Sequence, residues 1–535
     1  MQIAAALILA FGLTLASVPL LTLLALRAGL VDLPGPRKAH HVPVPRIGGI
    51  AIVFSVIVTT LLLTEESHFL LAYLAGSSIL LIFGLWDDLR GANYLVKLVG
   101  QLLAATVVMT GGGLLIGSVT HIERMTLPGL IAYPLTMIFI VGATNAMNMS
   151  DGLDGLAGGL GLVIVSAIGL LGFFADTPFV VLASCALLGA LAGFLRFNTH
   201  PAKIFMGDCG SQFLGFSVAV FSIVATQSPS PFSAALPLLI LGWPIIDTIW
   251  VISLRLARGQ SPFAADREHL HHRLIRAGLT QTQAVAAIYA CQAAMFLLVY
   301  LLRFESDLAI VGTFAILAIA CTATLEQRLR VARPTRAANP SEPGPPGNDA
   351  IYSGKRYLLR GALIVLVAGY ILTTTTAPRS LPTDFRVLAL IVLVCALLTP
   401  ALSKWSPVLP SMRISAYLLT ALTIYIDQLG FGRYSPTSPQ MLICFSLMSI
   451  ATVTAIRLHL STSFELNALD FLVIFLALVV PSLPGFVALP NTITTGLAKA
   501  IVCFYAIELL RHQVPVVLWS SGIAIAAITV LARAF

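Results

Sequence analysis

Charge is what this sequence has least of. Only 10% of its 535 residues are Asp, Glu, Lys or Arg, where a soluble chain carries about a quarter. That scarcity excludes an ordinary soluble globular protein. Cysteine pairs with metal or redox spacing are also missing. The seven cysteines, at 185, 209, 291, 321, 395, 444 and 503, stand singly and mostly inside apolar runs, so they read as small core residues. Aromatics make up 8% of the chain and form no aromatic-rich basic surface, so the formal charge of +8 does not point to nucleic acid. Alternating polarity of the barrel kind is absent. No internal repeat links the two halves, which leaves an inverted-repeat transporter without support.

Apolar runs fill the space that charge leaves. Runs of about 17–25 residues, the length that crosses a bilayer as a helix, recur throughout. In the first part of the chain they fall at 3–26, 48–63, 69–86, 96–114, 128–146, 157–175, 178–195, 210–226, 233–254, 282–302 and 307–324. The expected fold is all-α, a polytopic transmembrane helical bundle with about eleven spans there and about six or seven further spans toward the end. The first run, Ile3 to Ala25, carries no charge and no basic n-region, so it reads as a retained span and not as a cleaved signal. Residues 326–356 are basic, then rich in Pro, Gly and Asn, and read as a cytoplasmic linker. They separate a domain over 1–325 from a second membrane domain over 357–535. The basic residues set the orientation. Arg27, Arg37, Lys38, Arg46, Arg90, Lys97, Arg196, Lys203, Arg255, Arg258, Arg267, Arg273 and Arg276 fall in odd-numbered loops, and only Arg124 and Arg303 in even ones. The odd loops are therefore expected in the cytoplasm.

The polar strings of the first domain crowd into those same loops. They are "RKAHHVPVPRIGG" (37–49), "WDDLRG" (86–91), "NAMNMSDGLDGLAGG" (145–159), "HPAKIFMGDCGS" (200–211) and "ADREHLHHRL" (265–274). Taken singly, most have ordinary readings. Asp87 and Asp88 could mark a helix end, Asp208 a turn, and the histidines an interfacial face. The third string resists that reading best, because a carboxylate carried to the centre of a span costs about 2.5–3.5 kcal/mol. Its steps of three keep Asn145, Asn148 and Asp151 within about 120° on a helix, with Asp154 farther round unless the helix loosens at Gly152 and Gly155. Asp87 and Asp88 diverge by about 100° and reach one point only if the helix end frays.

Several carboxylates without cysteine ligands suit a hard cation, Mg²⁺ or Mn²⁺, which often bridges to phosphate. Lys and Arg suit the phosphates themselves, and histidines can donate to developing negative charge. From the residues alone, these loops form a metal-dependent phosphoryl-transfer site at the cytoplasmic edge of the membrane.

Over about residues 1 to 325, the ordered strings resemble those of the polyprenyl-phosphate N-acetylhexosamine-1-phosphate transferases. These bacterial inner-membrane enzymes move a sugar 1-phosphate from a UDP-N-acetyl sugar to undecaprenyl phosphate, release UMP and start envelope glycans such as O-antigen. The resemblance implies that Asp87 and Asp88 are the paired catalytic aspartates, with Asp87 as the base. It makes Asp208 a magnesium ligand, with Asp151 on the metal side. Asn148, Asp151 and Asp154 would contact the nucleoside side, and the Phe205 ring would stack on uracil. Lys38 and His40 match the first-loop basic motif, and His269, His271 and His272 the histidine motif. Arg273 stands where the more distant peptidoglycan relatives carry a third consecutive histidine. That difference favours a UDP-N-acetylglucosamine donor. The expected mechanism is direct in-line attack by the lipid phosphate, with a two-step route through a phospho-enzyme as the competitor, and the protein can be a homodimer. The competing class is a lipid-linked sugar transporter or a membrane scaffold for envelope enzymes. Residues 357–535 lie outside the resemblance.

Overall fold

In the computed structural model the chain is described at residues 2–32, 43–91, 93–120, 124–227, 232–261, 268–335, 349–377, 380–381, 439–457 and 516–534, with separate helical positions between 386 and 427 and between 499 and 510. The chain divides into two compact units, residues 1–339 with 467–472 and residues 340–466 with 473–535.

The first unit is helical. Its helices are α1 (Gln2–Ala28), α2 (Gly48–Leu63), α3 (His68–Arg90), α4 (Tyr94–Gly111), α5 (Gly129–Met149), α6 (Leu156–Phe174), α7 (Pro178–Asn198), α8 (Gly207–Gln227), α9 (Leu236–Ile240), α10 (Gly242–Ala257), α11 (Leu270–Arg276), α12 (Gln281–Leu302) and α13 (Asp307–Thr335). Nine of these are long and apolar enough to cross a membrane among the described residues. The all-α membrane bundle is thus observed, with two short antiparallel ribbons added, Val31–Asp32 with Val44–Pro45 and Ser118–Thr120 with Arg124–Thr126.

α2 keeps the expected bounds and is apolar over its 16 residues. Two details differ from the sequence expectation. The run at 233–254 is not one helix but two, α9 and α10, broken at Leu241. Pro244 lacks the N–H that would bond the carbonyl of Ile240. Gln292 of α12 repairs the gap: its Nε2 donates to that carbonyl at 2.8 Å, and its Oε1 accepts from the Trp243 N–H at 3.0 Å. Within a membrane such freed backbone groups need protein partners. Finally, α13 continues to Thr335, beyond the expected end at 324, because "LEQRLRVAR" is built of good helix formers.

α8 is the axis of this unit. Its apolar window is 94% buried, against 11% for α13, and α2, α3, α5 and α6 all pack against it. The crossings are made at glycine. A Cβ on Gly49 would lie 2.2 Å from the backbone nitrogen of Gly210, and one on Gly84 would lie 2.5 Å from the Cα of Cys209. Small residues let membrane helices approach backbone to backbone, where dispersion, not the hydrophobic effect, holds them.

The second unit contains α14 (Asp349–Thr375), α15 (Pro439–Arg457) and α16 (Val516–Ala534). Leu363, Tyr370, Leu419, Met448, Ile507 and Ala527 are buried together in its core. Inside it the Lys499 ammonium donates to Asp427 Oδ2 at 2.6 Å, and the Tyr370 hydroxyl reaches the same oxygen at 3.4 Å.

The glycine crossings predict an asymmetric response to alanine. Gly49→Ala drives a methyl onto backbone that cannot swing away, and should cost about 1–3 kcal/mol. Gly312→Ala on α13 meets nothing within 4 Å and should be neutral or gain up to about 1 kcal/mol. Thermal unfolding of both variants in detergent measures the difference, and equal midpoints would rule out close packing at Gly49.

Candidate active site

The C-terminal ends of α3, α5 and α7 meet the N-terminal ends of α2, α4, α6 and α8, and the site is built at this shared end. The first turn of α8 is its fixed point. Gly207 enters with φ +73°, and a Cβ there would lie 2.0 Å from the Arg46 carbonyl, so only glycine fits. Backbone bonds tie the approach to the start of α2. The Phe205 N–H donates to Pro45 at 2.7 Å, and the Gly48 and Gly49 N–H groups donate to Phe205 and Met206 at 3.0 and 2.8 Å.

Asp88 caps this turn from α3. Its Oδ1 accepts the Asp208 N–H at 2.8 Å and its Oδ2 the Cys209 N–H at 3.1 Å. A carboxylate at a helix N-terminus satisfies orphan donors and suits the positive end of the helix. Asp87 faces a different partner. The Lys97 ammonium, in the first turn of α4, lies 2.6 Å from Asp87 Oδ2 and 2.9 Å from Asp208 Oδ2. So α3 does not fray, as the expectation for two adjacent aspartates required. It stays helical to Arg90, and the two carboxylates reach Asp208 separately, one at its side chain and one at its backbone.

The string at 145–159 splits in the same way. α5 ends at Met149, so the four polar residues do not share a helical stripe. Asn148 donates to Asp208 Oδ1 and, at 2.8 Å, to Ser211 Oγ. Asp151 stands in the following turn and makes no side-chain hydrogen bond among the described residues. Its enclosure, then the nearby carboxylates of Asp208, Asp88 and Asp154, push its pKa from 3.8 up to about 7. Asp154 turns away, accepting from His200 Nδ1 at 2.7 Å and the Ala202 N–H at 3.1 Å. The turn closes at Gly155, whose N–H donates to Asn198 at 3.0 Å and whose carbonyl accepts from the Tyr289 hydroxyl of α12 at 2.6 Å.

One helical turn deeper lies a layer of amides. Gln101 and Asn145 bond reciprocally, at 3.2 and 2.7 Å, and Gln101 also donates to Gln212 Oε1 at 3.1 Å. Gln101 is four residues from Lys97, Asn145 three from Asn148, and Gln212 four from Asp208. Each amide therefore sits beneath a site residue and locks the register of α4, α5 and α8.

The histidine segment adjoins the turn. A Cβ on Gly152 would lie 2.3 Å from His271 Nε2. Burial, with His272 beside it, lowers the His271 pKa from 6.5 to about 3, so this ring is neutral. His272 lies 4.3 Å from it, ring centre to ring centre. Arg273 is a strut: it is buried, pairs with Glu326 of α13 and lies 5.1 Å over the Trp250 ring. The Phe205 ring is half-buried. Lys38, His40 and Arg267 lie outside the described residues.

Lys97, Gln101, Ser211, Gln212, Asn198, His200 and Asp247 take part without having been singled out from sequence as site residues. Lys97 and Gln101, four apart in an otherwise apolar run, carried a readable signal, and so did Asp247 within the apolar run at 233–254.

Comparison with known proteins identifies the family of the chain. The glycosyl transferase family 4 profile matches residues 70–226, which span α3 to α8. A protein of Bacillus subtilis (strain 168) named probable undecaprenyl-phosphate N-acetylglucosaminyl 1-phosphate transferase is 38% identical over 276 residues, 51% of this chain and 76% of that protein. The undecaprenyl-phosphate alpha-N-acetylglucosaminyl 1-phosphate transferase of Escherichia coli (strain K12) is 34% identical over 272 residues, 49% and 74% of the two chains. The decaprenyl-phosphate N-acetylglucosaminephosphotransferase of Mycolicibacterium smegmatis is 34% identical over 302 residues, 50% and 73%. This chain belongs to glycosyl transferase family 4. The paired aspartates, Asn148, Asp151, Asp154, Phe205 and Asp208 all fall inside the segment the family profile matches.

The donor set of this family 4 site fits a hard divalent cation. Asp87, Asp151 and Asp208 offer carboxylate oxygens, Asn148 an amide oxygen, and the Lys97 ammonium already stands where positive charge is needed between two carboxylates. Among the described residues no three acidic, histidine or cysteine side chains gather closely enough to hold a metal alone. Water and phosphate oxygens would have to complete the shell, as is usual for Mg²⁺.

Asp151 gives a test of this electrostatic picture. Its folded pKa lies above 3.8, so the folded state holds the proton more tightly than the unfolded chain does. The stability due to this group is complete below about pH 4 and is lost as pH rises toward 7. Without divalent cation, Asp151→Asn should melt above the parent at pH 8, with the gap shrinking toward zero near pH 4. A gap that does not change with pH would mean that Asp151 is an ordinary solvated carboxylate.

Proposed function

We propose that this chain transfers N-acetylglucosamine 1-phosphate from a UDP-sugar to a polyprenyl phosphate, undecaprenyl phosphate in particular, releases UMP and so starts an envelope glycan. The observation that carries the reading is the meeting of Asp87 and Asp208 across Lys97 at the end of a membrane bundle, in a chain whose relatives are named for this reaction. The acceptor has a long apolar tail and a charged head. A site at the end of membrane helices lets the tail stay in lipid while the phosphate meets the carboxylates. The basic residues of the same loops support a cytoplasmic position for this end, where a soluble UDP-sugar is at hand.

Asp208 and Asp151, with Asn148, would hold Mg²⁺ or Mn²⁺, which when bound offsets charge on the diphosphate. Asp87 takes the proton from the acceptor phosphate. An oxygen of that phosphate then attacks the sugar-bearing phosphorus, and the bond to UMP breaks in line. Lys97 holds the acceptor phosphate against the carboxylate that deprotonates it, and Asp88 keeps the first turn of α8 in place. His271, neutral and buried against Gly152, lines the turn that presents Asp151.

Purified full-length protein in detergent, given undecaprenyl phosphate, Mg²⁺ and UDP-N-acetylglucosamine, should release UMP only when lipid and metal are both present. Asp87→Asn should lower the rate on the order of 100-fold or more, as should Asp208→Asn, with both variants still folded. Full activity in Asp208→Asn would overturn the site. No release from this or any other UDP-N-acetyl sugar would overturn the reaction.

A further inference from the structure

Asp247 lies outside the carboxylate cluster, on α10, and is only 2% exposed. Its two oxygens serve consecutive residues. Oδ2 lies 2.9 Å from the Nδ1 of His269, and Oδ1 accepts the Leu270 N–H at 2.6 Å. An ionised carboxylate can only accept, so the proton between Asp247 and the imidazole belongs to Nδ1. In the neutral form of such a ring the lone pair is then on Nε2. That ring lies nearly parallel to His271, 12° between planes and 5.6 Å between centres, and His271 abuts Gly152 beside Asp151. A carboxylate thus sets the proton on a ring stacked against His271, which itself adjoins the candidate active site.

We infer that Asp247 is a positioning residue for the transfer: it fixes His269 as the Nδ1–H form and so leaves Nε2 as the nitrogen that can engage substrate. The inference rests on the transferase reading above. In this arrangement every hydrogen bond or proton that His269 exchanges with substrate passes through Nε2, and a cationic ring would donate from Nε2 to a diphosphate oxygen while Asp247 balances its charge. The structure also offers Asp247 a plainer role, as the acceptor that caps the first turn of α11. The two roles separate on one substitution. Asparagine keeps a side-chain oxygen for the Leu270 N–H and caps a helix about as well as aspartate. Its amide N–H₂, however, faces Nδ1 and demands an acceptor there, which moves the ring proton to Nε2.

The experiment compares the parent, Asp247→Asn and Asp247→Ala as full chains in detergent. Three readings are taken: the melting midpoint, ¹⁵N spectra of labelled histidines with His269→Gln for assignment, and UMP-release kinetics. Asp247→Asn should melt with the parent while Asp247→Ala melts lower. The His269 signals should pass from the Nδ1–H to the Nε2–H pattern. The kcat of Asp247→Asn should fall on the order of 100-fold or more, with KM for the UDP-sugar changed by less than about threefold, as expected for an interaction used in the transition state. An unchanged tautomer, a rate within about twofold of the parent, or an Asp247→Asn midpoint as low as that of Asp247→Ala each overturns the positioning role. A parent that releases no UMP overturns the transferase reading itself, and the spectra then still decide the tautomer.

Discussion

The ammonium of Lys97 is the interaction on which the candidate site depends. It is shared by carboxylates from two other helices, Asp87 of α3 and Asp208 of α8. At the end of a membrane bundle water screens poorly, and two carboxylates brought this close repel unless a cation stands between them. The start of α4 must therefore reach the meeting point of α3 and α8, and the surrounding structure serves that requirement. Glycines at 49 and 84 let α2 and α3 close on α8, and the amides of Gln101, Asn145 and Gln212 hold α4, α5 and α8 in register one turn below. The helices of this unit are ordered around charge placement as much as around apolar packing.

Aspartates at this end of the bundle divide into two kinds of work that their sequence neighbourhoods do not distinguish. Asp88, Asp154 and Asp247 each accept a backbone N–H from another segment, and they behave as fasteners. Asp87 and Asp208 instead share the Lys97 ammonium, and Asp151 stands enclosed in the turn after α5. One fastener lies next to a member of the carboxylate cluster in the case of Asp87 and Asp88, and three residues from one in the case of Asp151 and Asp154. The residue that joins the cluster and the residue that fixes its frame thus arrive on one short stretch of chain.

Most of the fold was legible because hydropathy over some twenty residues is a strong signal, and the helices of the first unit follow the apolar runs closely. The break between α9 and α10 was not legible. Pro244 is a warning, but the repair comes from Gln292, far along the chain, and no local pattern announces it. The site was legible at the level of strings, since polar runs on one side of a membrane protein have little reason to gather otherwise. The division of labour within the strings was not. Whether Asp151 or Asp154 faces the cluster depends on where α5 stops and on the left-handed Gly155, which periodicity alone puts on a continued helix. Lys97 and Asp247 escaped for a related reason: a lone polar residue in an apolar run shows that a partner exists but not which one.

The bond from the Tyr289 hydroxyl to the Gly155 carbonyl joins residues 134 positions apart. The helix of Tyr289, α12, also bridges the break between α9 and α10 through Gln292. Tyr289 and Gln292 stand three apart and so share one face of α12, and that face is a keystone: it closes the turn that carries Asp151 and mends a broken helix, two places distant from it along the chain.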